Sequence, residues 1–150
     1  MNDLNSKSEI LNSKQIINSK SSNHKQYDLE ERTLRFARAI NGFIRYLPKN
    51  NVNYEVAKQL IRSAGSVGAN YIEANESLSR KDFIMRAKIA KKEAKESRYW
   101  LNLVEVAEGQ EQVRDKLIAE VNELMKILGA IVENSKSETL NSKQIINPKL

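Results

Sequence analysis

Cysteine is absent from the 150 residues, and histidine occurs once, at His24. The first absence excludes disulfides, thiolate metal sites and cysteine nucleophiles. The second leaves no multi-histidine metal site and no histidine base in a folded pocket, because His24 lies outside every periodic segment. No run of about 18 apolar residues exists, so no transmembrane span is expected. The opening residues, MNDLNSKSEI, lack the apolar core of a secretory signal. No alternating run of β-branched residues bounded by turns is present, so no strand is expected either. A cytoplasmic protein without metal or organic cofactor is the expectation.

The apolar share, 40%, is low for a fully packed chain, and the ends show why. Residues 5–20, NSKSEILNSKQIINSK, return as NSKSETLNSKQIINPK at 134–149, differing only at Ile10/Thr139 and Ser19/Pro148. Rich in Asn, Ser and Lys with isolated Leu and Ile, both copies are expected to stay disordered, since they bury too little to offset the entropy of ordering. Their near identity in one reading frame implies direct repeats in the coding DNA.

Between the ends, one spacing recurs four times. Asp28 and Glu31 open the first segment like a capping box. Leu29, Thr33, Phe36, Ile40, Phe43 and Leu47 follow at alternating steps of four and three, and Pro48 stops the run. Asn53 is expected to cap the second segment, with Ala57, Leu60, Ala64, Val67, Tyr71 and Ala74 on its seam. Ser79 and Asp82 cap the third, which carries Phe83, Ala87, Ala90, Ala94, Ser97, Leu101 and Val104, with Gly109 as its stop. Leu117, Val121, Leu124, Leu128 and Ile131 form the last seam. Four such seams joined by short turns predict an all-α fold, an antiparallel up-down-up-down four-helix bundle over 28–133. The disordered tails are 1–27 and 134–150.

Within RSAGSVGAN, residues 62–70, two glycines cost about 1 kcal/mol each against alanine in a helix. Close packing or a slight kink explains them. A phosphate loop would need a preceding strand and GK[ST] or GxGxxG, and neither is present. Glu73, Glu76, Glu93 and Glu96 do not make a di-metal bundle, because no Glu-x-x-His accompanies them. Salt bridges are their expected role.

The net charge is +6, but the tails hold most of the excess: seven lysines against three acids, while 28–133 hold eighteen bases against sixteen. Charge is polarised inside the bundle, with eight bases and three acids over 80–98 and three bases and seven acids over 99–133. At 100° per residue, Lys81, Lys88, Lys92 and Lys95 stand opposite the third seam, with Lys91 to one side. Arg35 and Arg38 also fall outside the first seam. These seven residues are the candidate nucleic-acid ridge, since basic side chains release counter-ions from RNA or DNA. A solvated face with Lys92–Glu96 pairing accounts for the same pattern. Met85, Ile89, Trp100 and Leu103 flank that ridge away from the seam. Their apolar bulk predicts a covering surface, here a homo-oligomer interface.

The stretch IRSAGSVGANYIEANESLSRKDFIMRAKIAKKEAKESRYWL, 61–101, resembles the bacterial four-helix-bundle proteins encoded in intervening sequences of 23S ribosomal RNA genes, also labelled an S23 ribosomal protein family. RSAGSVGAN, Glu73 and Glu76, SRKDF at 79–83 and KEAKESRYWL at 92–101 carry the resemblance, which covers about 28–133. It implies a barrel-shaped homopentamer. It is also similar to the accessory variability determinant of diversity-generating retroelements, which implies nucleic-acid binding and a reverse transcriptase as a partner. No catalytic residue is implied. The chain is expected to be a non-enzymatic bundle that binds RNA or DNA without sequence preference, or else a protein-interaction scaffold.

Overall fold

In a computed structural model, described over residues 28–146, four helices follow one another: α1 (residues 28–45), α2 (Asn51–Asn75), α3 (Arg80–Leu103) and α4 (Glu111–Ile146). The N-terminal copy of the repeat, and disorder of residues 1–27, lie outside the described residues. Residues 28–32 are the first turn of α1, in a unit ending at Arg32; the packing below is that of residues from Thr33 on. Among the described residues there is no strand, and no helix is long and apolar enough to cross a membrane.

The seams fold largely as their spacing dictates, except that Val56 rather than Ala57 is buried at the start of α2 and Phe83 is only half-buried. Thr33, Phe36, Ile40 and Phe43 are buried on α1 and Leu47 in the turn after it, and Leu60, Ala64, Val67, Tyr71 and Ala74 are buried on α2. Ala87, Ala90, Ala94, Ser97 and Leu101 are wholly buried on α3. On α4 the seam runs Leu117, Val121, Leu124, Leu128 and then Val132, while Ile131 is only half-buried. A four-residue step keeps the 3.6-residue helix facing the core there, where a three-residue step turns it away.

Interhelical contacts fix an antiparallel order. Midway along α2 and late in α3, Arg62 pairs with Glu96 at 2.7 Å; late in α2 and early in α3, Glu73 pairs with Arg86 at 3.0 Å. Between α3 and α4, Arg98 donates to Asn122 at 3.1 Å, and Arg80 pairs with Glu138. The α2–α3 seam is made of small residues, and at its centre Ser97 Oγ lies 2.9 Å from Ser63 Oγ, both fully buried. Each hydroxyl therefore has a partner in an apolar layer where an orphan would cost about 1–3 kcal/mol.

The loops depart from expectation in three ways. Asn50, not Asn53, caps α2, its side chain accepting from Asn53 N at 2.8 Å. Asn53 is buried and its amide joins two loops instead, donating to Pro48 O at 3.0 Å and Glu105 O at 2.8 Å and accepting from Glu105 N at 2.9 Å. Gly109 does not end α3, which stops at Leu103; it takes φ +87 in the turn before α4, a conformation that favours glycine. The third difference is length. Past residue 133, α4 continues through Ile146, so that part of the C-terminal repeat is helical. Hydroxyls of Ser137, Thr139 and Ser142 bond back to carbonyls four residues earlier, and Ser135 is buried. Ser79 caps α3 as expected, accepting from Asp82 N at 3.1 Å.

The two glycines of α2 separate in role. A Cβ on Gly68 would sit 2.8 Å from Thr33 Oγ1 and 3.2 Å from Thr33 Cβ, whereas one on Gly65 meets nothing within 4 Å. Gly68 therefore admits α1 to close contact; Gly65 faces outward. Gly65→Ala is expected to stabilise the fold by up to about 1 kcal/mol. Gly68→Ala is expected to lose about 1–3 kcal/mol through overpacking. Urea denaturation of the two variants side by side checks this; equal shifts would contradict it.

Candidate functional site

Helix geometry alone gathers most of the basic ridge. Lys88, Lys92 and Lys95 rise along the exposed face of α3 at i, i+4 and i+7, and Lys91 stands beside them toward α4. There the two helices leave a groove of about 310 Å³ lined by Lys88, Lys91, Lys92, Lys95, Met125, Gly129, Val132, Glu133 and Lys136. Five ammonium groups and one carboxylate thus line one concavity.

Gly129 shapes its floor. A Cβ there would stand 3.3 Å from Lys91 Nζ, 3.6 Å from Cε and 3.9 Å from Cδ, so the end of the Lys91 side chain lies across α4 at the glycine. Glu133 follows one turn later on the same face. Its Oε1 lies 2.9 Å from Lys136 Nζ. The hydrogen bond from Lys136 and that ammonium's charge hold the Glu133 carboxyl below the usual carboxylate range, helped by the charges of Lys91 and Lys88.

Of the seven ridge residues, four line the groove. Lys81, Arg35 and Arg38 are exposed but do not line it. Lys136, in the segment whose composition predicts a disordered tail, lines the groove as well. Its signal was the continuation of the α4 spacing, Leu128–Val132–Ser135–Thr139, at steps of four, three and four. Lys92–Glu96 pairing, the alternative account of the ridge, is replaced: Glu96 Oε1 accepts from Arg62 at 2.7 Å and from Trp100 Nε1 at 3.2 Å.

The apolar flank of α3 is a stripe rather than a compact cluster. Met85 and Leu103 are each about half exposed, and Ile89 and Trp100 are partly covered. Eighteen residues at about 1.5 Å each separate its ends by about 27 Å. Glu96 and its bond to Trp100 interrupt it, and Tyr99 packs edge-on to Trp100 with centroids 4.9 Å apart. Leu34 on α1 and Ile61 and Ile72 on α2 are similarly exposed, a feature the seam analysis did not single out. Among the described residues no cluster of His, Asp or Glu is arranged to hold a metal ion.

A family model described as 23S rRNA-intervening sequence protein matches residues 25–130. A crystal structure of a protein of unknown function from the S23 ribosomal protein family of Bacteroides thetaiotaomicron is 32% identical, with a TM-score of 0.61. That likeness covers 73% of this chain and 98% of the other. No curated protein matches the chain. The matched span takes in α1, α2, α3 and α4 through Gly129, while Val132, Glu133 and Lys136 of the groove lie beyond it, and the chain belongs to the 23S rRNA-intervening sequence protein family.

Proposed function

We propose that this protein is a non-enzymatic, oligomeric helical bundle of the cytoplasm that binds RNA or DNA through the α3–α4 lysine groove. The observation that supports it is the convergence of Lys88, Lys91, Lys92, Lys95 and Lys136 on one concavity. Lysines act as point charges on phosphates, and the lining offers no aromatic ring for base stacking and no Arg, Asn or Gln fork for base edges. Binding is therefore to backbone phosphates and indifferent to sequence. Fluorescence anisotropy with labelled RNA and DNA at low salt tests this, and absence of binding to either rejects it. A high 260/280 nm absorbance ratio in the purified protein is a quicker sign.

The half-exposed apolar groups favour self-assembly, with a homopentamer as the form the family resemblance suggests. Light scattering coupled to size exclusion is expected to give a mass several times that of the chain; a clean monomer at micromolar concentration would sink the idea. The stripe of Met85, Ile89, Trp100 and Leu103 also supports a second reading, a scaffold or accessory subunit for a partner such as a reverse transcriptase. Capture of that partner surviving nuclease treatment separates this reading from the first.

A further inference from the structure

The groove carries its own counter-ion. Glu133 is the one acid among its lining residues and sits one turn from the glycine over which Lys91 extends. Its carboxylate bonds Lys136 at 2.9 Å although the side chain is 70% exposed, so the pairing is not enforced by burial. To an ammonium group, a carboxylate and a phosphate offer the same kind of anionic oxygen acceptor. The hydrogen bond and charge of Lys136, with the charges of Lys91 and Lys88, lower the proton affinity of Glu133, in keeping with its place among the groove's lysines.

We propose that Glu133 is a built-in competitor of the phosphate groups the groove takes, occupying Lys136 and lowering the positive charge open to a ligand. The proposal rests on the nucleic-acid reading above. Each phosphate that enters must displace Glu133 from Lys136 or lie beside a like charge. A polyanion that reaches all five lysines overcomes this, and a single phosphate does not. The residue thereby favours polymers over free phosphate and keeps binding reversible.

The test uses the full chain, a short fluorescein-labelled RNA duplex and, separately, inorganic phosphate as competitor. Glu133→Gln preserves shape and removes the charge. It is expected to tighten duplex binding about 3–10-fold near 50 mM salt and to steepen the dependence of log K on log salt by about one counter-ion. Inorganic phosphate is expected to compete better against the variant than against the parent. Lys136→Gln should weaken binding more in the Glu133→Gln background than alone, a non-additivity that a purely structural role would not produce. If the triple lysine reversal described below abolishes binding while Glu133→Gln changes neither affinity nor slope, the competitor role is wrong and the nucleic-acid reading stands. If neither parent nor variant binds, the nucleic-acid reading itself fails.

Discussion

Asn53→Ala is expected to lower stability by about 3 kcal/mol, because three backbone groups lose their partner at once. The side chain is 3% exposed and meets Pro48 O, Glu105 O and Glu105 N. Those atoms belong to the α1–α2 turn and the segment after α3, so one amide ties together two connections, the second of them 52 residues along the chain from Asn53 itself. Alanine leaves a void and two carbonyls and an N–H unsatisfied. Asn53→Asp keeps the acceptor for Glu105 N but turns a carboxylate oxygen toward both carbonyls, so it is expected to be no better than alanine. Thermal unfolding followed by circular dichroism should show a midpoint about 10 °C or more below the parent. A shift of only one or two degrees would mean that water replaces the amide.

The second large effect concerns binding. Reversing Lys88, Lys92 and Lys95 together to Glu is expected to weaken RNA or DNA binding at least about 100-fold near 50 mM salt and to flatten the salt dependence by about three counter-ions. All three are exposed, so the helix should survive, and an unchanged far-ultraviolet spectrum would confirm it. Arg35 and Arg38 serve as the control, since they are equally exposed but lie outside the groove. Their reversal is expected to cost far less. Equal losses from the two sets would mean that general charge, rather than the groove, attracts the polymer.

How much of this was readable in advance depends on whether a residue acts through periodicity or through position in space. Phe36, Ile40, Leu60, Ala90 and Leu124 announce themselves, because a buried stripe must repeat at the helical period. Asn53 does not: a polar residue four places before the first expected seam position, Ala57, reads as a cap, and only the arrival of Glu105 reveals its use. Glu133 and Lys136 were hidden differently. Charge counts by segment put the glutamate in an acidic helix and the lysine in a polar tail. The groove that joins them to Lys91 exists only once α3 and α4 pack. The repeat at 134–149 shows how a composition argument stops short. Its Asn, Ser and Lys bury little, yet a helix already nucleated upstream propagates through them at small cost per residue, and α4 continues to Ile146.

The buried hydroxyl pair of Ser63 and Ser97 bears on the register in which the groove is built. Sliding α3 along α2 by one turn, about 5.4 Å, would part the two oxygens, leaving each hydroxyl only the carbonyl of its own helix, Leu60 O for Ser63 and Glu93 O for Ser97. The pair therefore marks one register between α2 and α3, the register in which α3 also presents Lys88, Lys91, Lys92 and Lys95 to the groove.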